Sequence, residues 1–189
     1  MAEQRARLFV ALELPEPVRA ALVRWRARAV EGALGLRLLA PEDLHVTLCF
    51  LGSRSVVEID AIASACAALE RRPAVESALG GALWLPARRP RVLAAELDDP
   101  EGTLASTQAQ LSGALRAGGW YAPGARPFLA HVTVARVGKG ARLRRRELRR
   151  PKPLRFTGST VTLYRSRPEP VGARYEALCS VGLRAAGGG

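Results

Sequence analysis

The sequence predicts a globular α+β or mixed α/β domain, and three observations carry that expectation. Its 189 residues are 48% apolar, enough to build one sizeable core and too many for a disordered or fibrous chain. Apolar runs of strand length alternate with segments of helical periodicity, in the order β-α-β-β-α-β-β-α-β, then a basic segment, then β-β. No Pro/Gly/Ser-rich stretch is long enough to separate independent domains, so any lobes must share their core, with one domain expected over residues 1–184 and a frayed tail at 185–189.

Residues 8–14 form an apolar run closed by Pro15 and Pro17, which reads as a buried strand. From 17 to about 33, Val18, Leu22, Trp25 and Ala29 recur at helical spacing with arginines between them, the pattern of an amphipathic helix on a sheet. A strand at 36–39, a turn at Pro41-Glu42-Asp43 and a second strand at 44–51, stopped by Gly52, follow. Residues 55–70 read as a helix, 83–85 and 92–97 as strands around a Pro/Arg segment, and 101–117 as a helix ended by Gly118-Gly119. Strands are expected at 128–137, 154–164 and 175–183. Trp25, Trp84 and Trp120 are read as packing aromatics.

Charge narrows the partners without naming the chemistry. There are 29 basic and 17 acidic residues, a net charge of +12, and all the basic residues except Lys139 and Lys152 are arginine. Such a surface attracts polyanions, whether or not a coding bias or heat adaptation explains the preference for arginine. Three cysteines, Cys49, Cys66 and Cys179, with no C-x-x-C spacing, give neither a disulfide framework nor a zinc signature. The N-terminus lacks a signal-peptide pattern and no apolar run reaches membrane-spanning length, so a cytoplasmic protein without membrane attachment is expected, and a monomer.

The chain has only two histidines, and each opens the same pattern: His45-Val46-Thr47-Leu48 and His131-Val132-Thr133-Val134. A given His is followed by Val-Thr-aliphatic on the order of once in a thousand by composition, so the repeat reads as a quiet internal duplication. Strand alternation projects His45 with Thr47, and His131 with Thr133, from one face while the aliphatic residues anchor the other. Two imidazoles and two hydroxyls around one centre suit phosphoryl chemistry: one His takes a proton from a nucleophile, the other gives one to the leaving oxygen, and the hydroxyls hold phosphate oxygens. A lone strand histidine is more often a satisfied structural residue; the repetition argues otherwise. Metal binding is the less favoured alternative, because no third ligand lies at a suitable spacing, so no metal and no cofactor are expected.

With these residues in view, the sequence resembles the two-histidine (2H) phosphoesterase superfamily, and within it the RNA 2′,3′-cyclic phosphodiesterases long called 2′-5′ RNA ligases. The resemblance runs almost end to end, through Arg7-Leu8-Phe9-Val10-Ala11, Pro41-Glu42-Asp43-Leu44, Phe50-Leu51-Gly52, Pro90-Arg91-Val92-Leu93, Arg126-Pro127-Phe128 and Gly172-Ala173-Arg174-Tyr175. It implies a bilobal fold, two pseudo-symmetric lobes of antiparallel sheet with outer helices around a central groove. It also implies metal-independent opening of a terminal 2′,3′-cyclic phosphate on RNA to a 2′-phosphate, with His45 as general acid, His131 as base, and Thr47 and Thr133 binding phosphate. A 5′-hydroxyl RNA end replacing water would give 2′-5′ ligation. By the same pattern Phe50 and Arg136 stack on the terminal base, and nucleotides are further expected ligands. Strict alternation would set Phe50 and Arg136 on the face opposite their histidines, so each strand must bulge or end before them. Cys49, where the family often has a basic residue, falls on the His45 face by alternation and is read as a small filler; Ala130 stands where a proline is common.

Between 142 and 155 the residues Arg142, Arg144, Arg145, Arg146, Arg149, Arg150, Lys152 and Arg155 face a single acid, Glu147, with Leu143 and Leu148 as possible anchors. This segment reads either as a phosphate track for RNA or as a solvated connector, and Arg88, Arg89 and Arg91 allow the same two readings. Two non-enzymatic functions stand beside the hydrolase: an RNA or nucleotide-binding module that keeps the groove without catalysis, and an interaction protein that binds RNA through its charge alone.

Overall fold

The computed structural model of the chain describes residues 3–31, 35–138, 141, 148–169 and 172–185. A curled antiparallel sheet with helices against one face organises it. Its strands are β1 (Arg5–Glu13), β2 (Leu36–Leu38), β3 (His45–Ser55), β4 (Val75–Leu85), β5 (Val92–Asp98), β6 (His131–Val137), β7 (Arg155–Gly158), β8 (Thr160–Glu169) and β9 (Gly172–Gly182). The helices are α1 (Glu16–Ala29), α2 (Ile59–Cys66) and α3 (Thr103–Ala117). The strand order is β7-β4-β5-β6-β3-β1-β8-β9, with β2 added to β6. The fold is the expected α+β class, and its two halves meet where β6 lies beside β3.

The helices cover the face on which Val46, Val132 and Val134 are fully buried, together with Leu22 of α1 and Leu104, Leu111 and Leu115 of α3. These residues belong to one continuous hydrophobic cluster, which also takes in Trp25, with Trp84 and Trp120 packed against it. Arg26, buried on α1, donates to the carbonyls of Leu39 and Val134 and so ties the helix to β6. Gln108 of α3 donates to the carbonyl of Leu48 on β3 at 3.4 Å. Each long helix is therefore fastened to one of the two central strands.

Four expectations need correction. β3 does not stop at Gly52 but runs on to Ser55, because Gly52 takes a left-handed φ of 72° where the β1–β3 register shifts, and glycine enters that conformation without strain. The helix expected at 55–70 is only Ile59–Cys66, flanked by 3-10 turns on both sides. β4 begins at Val75, eight residues before the strand the sequence suggested, since Gly80-Gly81 hides its interior. The strand expected at 154–164 is two strands: β7 pairs with β4 and β8 with β1, so the chain passes from one end of the sheet to the other at Ser159. The curl makes that step short, as Leu183 donates its amide to the Ser159 carbonyl and Pro73 bridges to Arg184. Of the basic segment, residues 142–147 lie outside the described residues, as do 186–189 of the expected frayed tail.

Candidate active site

β3 and β6 are antiparallel and pair at Val46 and Val132. Directly opposed residues in a sheet point to the same side, and side chains alternate along each strand. The two buried valines therefore point together into the core, and His45, Thr47, His131 and Thr133 emerge together on the other face. The register sets His45 across from Thr133 and Thr47 across from His131. A local twofold axis passes between the valines, so the repeated sequence motif becomes a repeated geometry around one point.

The repeat extends to the flanking strands. On β1, Ala11 pairs with Thr47 and Glu13 with His45; on β5, Ala94 pairs with Thr133 and Glu96 with His131. Ala11-Leu12-Glu13-Leu14 and Ala94-Ala95-Glu96-Leu97 are thus a second internal repeat, readable in the sequence and overlooked beside the histidine motifs.

Both strands bulge at the same step. Between Thr47 and Cys49 the residue Leu48 has no partner on β1, and between Thr133 and Ala135 the residue Val134 has none on β5. The extra residue reverses the alternation, so Leu48-Cys49 and Val134-Ala135 are consecutive buried pairs, and Phe50 and Arg136 return to the histidine face. This removes the conflict that strict alternation posed for Phe50 and Arg136. It also corrects the placement of Cys49, which lies on the helix side, 1% exposed, near Gln108. Burial pushes its thiol up to about 12, which fits a filler and not a nucleophile.

A groove of about 310 Å³ opens on the histidine face. Its wall includes His45, Thr47, Phe50 and Arg136; His131 and Thr133 stand outside that wall, across from Thr47 and His45 on β6. Two further cations line it, Arg7 and Arg37. Arg7 sits over the Phe50 ring at 5.6 Å, and Arg37 is the direct cross-strand partner of Arg136. Like charges in that register repel, and an anion in the groove relieves the repulsion.

Each imidazole is oriented in the same way. His45 Nδ1 lies 2.7 Å from the Asp43 carbonyl, and His131 Nδ1 lies 2.8 Å from the Leu129 carbonyl. A carbonyl only accepts, so Nδ1–H donates in both and Nε2 is left to exchange protons. His45 Nε2 is 3.2 Å from Thr47 Oγ1. The surroundings differ. His45 stacks on Phe9 at 5.0 Å and meets the edge of Tyr175 at 5.4 Å, with Tyr164 behind. The Tyr164 hydroxyl donates to Glu13, and burial together with that carboxylate pushes it up to about 12. Burial, then the nearby Arg136 and His131, lowers the His45 pKa to about 4. Among the described residues no three His, Cys, Asp or Glu side chains gather into a set that could hold a metal ion.

Comparison with known proteins gives this geometry a family. The chain is 32% identical to the RNA 2′,3′-cyclic phosphodiesterase of Escherichia coli strain K12 over 138 residues, covering 69% of this chain and 71% of that protein. The chain belongs to the LigT-like phosphoesterase family. The sequence profile of the LigT-like phosphoesterases matches residues 12–94, which carry the first histidine motif. The RNA 2′,3′-cyclic phosphodiesterase of Thermus thermophilus is 35% identical over 140 residues, 69% of this chain and 68% of that one. Similarity in three dimensions reaches further. The crystal structure of E. coli LigT complexed with NADP+ matches with a TM-score of 0.78 at 27% identity, over 95% of this chain and 98% of that chain. TT0787 of T. thermophilus matches with a TM-score of 0.73 at 31% identity, over 96% and 100%. The LigT-like fold therefore spans both histidine strands, including the half beyond the profile match.

Proposed function

We propose that this LigT-like phosphoesterase is a metal-independent RNA 2′,3′-cyclic phosphodiesterase that opens a terminal cyclic phosphate to a 2′-phosphate by paired-histidine acid-base catalysis. The pairing of Val46 with Val132 carries the reading, because it brings the two His-x-Thr units to one face around a local twofold. The two curated relatives bear the name of that activity, and E. coli LigT has been crystallised with 3′-AMP.

In this mechanism the hydroxyls of Thr47 and Thr133 hold the non-bridging oxygens. Nε2 of His131 takes a proton from water as the water oxygen bonds to phosphorus. The bond from phosphorus to O3′ breaks, and O3′ takes the proton carried on Nε2 of His45. The aromatic wall of Phe9 and Tyr175 shields His45, which favours His131 as the group that activates water. Burial favours neutral His45 in the free protein, so its acid role requires proton uptake with the substrate. A phosphate monoanion about 4 Å away contributes roughly 4 kcal/mol at an effective dielectric of about 20, or about three pKa units, enough to return that proton near neutral pH. Phe50 and Arg136 stack on the terminal base, and a 5′-hydroxyl in place of water gives a 2′-5′ linkage by the same proton transfers.

The test is hydrolysis of a short RNA ending in 2′,3′-cyclic phosphate, in EDTA, with the product phosphate assigned by NMR. A 2′-phosphate product is expected. His45→Ala and His131→Ala should each lower kcat by about 10²–10⁴-fold with the fold intact. Full activity in either variant, or loss of activity in EDTA, overturns the mechanism.

A further inference from the structure

A second recess is larger than the histidine groove. A cavity of about 690 Å³ lies on the helix-covered face, between α1, β4 and the segment leading into β7. Its floor is apolar, built from Trp25, Leu79, Leu148 and Leu154, with the Trp25 indole held by a 2.7 Å donation to the Arg149 carbonyl. Around the floor stand five cations, Arg24, Arg28, Arg149, Arg150 and Lys152, all exposed, and among the described residues no carboxylate lines the cavity. The two clusters come from sequence-distant segments, so the fold, not the basic run alone, creates the ring of charge.

We propose that this recess is an exosite for single-stranded RNA, taking an unstacked base on the apolar floor and the flanking phosphates on the arginine and lysine rim. It takes its occupant from the proposed reaction, although its binding readout does not depend on catalysis. Charge complementarity selects a polyanion, and the depth of the site selects among polyanions. A surface that docks on lipid presents apolar side chains outward, whereas here they form the bottom of a recess, and among the described residues the exposed large apolar side chains, Leu38, Phe50, Val57 and Leu129, lie elsewhere. An apolar floor ringed by cations fits a base with a phosphate on either side, read without sequence preference. A 12-nucleotide strand is long enough to round the edge of a domain whose radius of gyration is about 16 Å, so one strand can hold its end in the groove and its body on the exosite.

The experiment compares two substrates and two pairs of substitutions. The substrates are uridine 2′,3′-cyclic phosphate and a 12-nucleotide RNA ending in 2′,3′-cyclic phosphate; binding is measured with the His45→Ala protein. Arg24→Ala with Arg28→Ala should leave kcat/KM for the mononucleotide unchanged and lower that for the 12-mer at least tenfold at low salt. The slope of log affinity against log salt for the 12-mer should fall by about 1.4, the contribution of two phosphates on a single strand. Arg71→Ala with Arg116→Ala, exposed arginines away from the recess, should change neither. A 12-mer that keeps its 3′-terminal base and is abasic at every other position should bind at least fivefold more weakly than the intact strand. An unchanged salt slope, an equal loss on both substrates, equal binding of the abasic strand, or tighter binding to phosphatidylserine vesicles than to RNA each overturns the exosite. Failure of the wild-type protein to open either substrate would overturn the proposed reaction instead, while the binding comparison still judges the exosite.

Discussion

His45 and His131 have the same local backbone and different environments. Both follow a carbonyl two residues back that fixes Nδ1–H, both face an Ala-x-Glu on the outer neighbouring strand, and both precede a bulge that turns position five into the groove. What separates them is the next strand outward. Beside Glu13, β8 supplies Thr162 and Tyr164, which both donate to that carboxylate, and Tyr164 closes the aromatic wall behind His45. Beside Glu96, β4 supplies Gly81, where a Cβ would meet the Glu96 carboxylate at 2.7 Å. The repeated strands give the two imidazoles the same backbone setting; the unequal outer strands leave His45 alone behind the Phe9 and Tyr164 rings, where burial lowers its pKa to about 4.

The helix fastenings break the symmetry most. Arg26→Met removes a buried guanidinium that serves two carbonyls and should cost about 2–3 kcal/mol, whereas Gln108→Leu removes one long bond and should cost below about 1 kcal/mol. Urea unfolding of the two variants reads the difference; equal losses would mean that both bulges are held by strand packing alone.

A second asymmetry shows in acid stability. The folded pKa of His45, about 4, lies below its unfolded value of about 6.5, so the unfolded chain binds more protons between those limits. Stability should therefore fall as pH drops from about 6.5 to about 4, by up to about 3 kcal/mol from this group, with no contribution above that window. His45→Gln should flatten that part of the curve relative to wild type. A curve unchanged by the substitution would show that water reaches the imidazole through the aromatic wall.

These differences also mark what the sequence could reveal. Motif positions were legible because chemistry fixes residue types: His-Val-Thr-aliphatic announces two strands with one face, and the structure pairs them at their valines. The bulges were legible only as a contradiction, since Phe50 and Arg136 sat out of phase with their histidines. β4 and the split between β7 and β8 were not legible. Gly80-Gly81 carries no strand signal because it makes room for Asp98 and Glu96 across the sheet, and the step at Ser159 depends on curl, a property of the whole sheet. The cationic ring at the second recess needed α1 brought against residues 148–154, a contact that no local pattern encodes.

The smallest expected effects come from the fifth positions, where the halves present a ring and a guanidinium to the same groove. Phe50→Ala should raise KM for a cyclic-phosphate RNA end by about 5- to 150-fold, the worth of one stacked base, with kcat little changed. Arg136→Phe is the sharper probe, because it keeps a flat surface and removes only the charge. Stacking then persists and KM should stay within a few-fold of wild type. Arg136 is one of the cations that hold the His45 pKa down, so its loss should move that pKa upward, read from the His45 imidazole signals in an NMR titration. An upward shift with KM preserved would assign Arg136 two separable roles, a platform for the base and an electrostatic brake on proton uptake by His45. If KM instead rises as far as in Phe50→Ala, the guanidinium holds phosphate, and the two fifth positions are equivalent in backbone geometry alone.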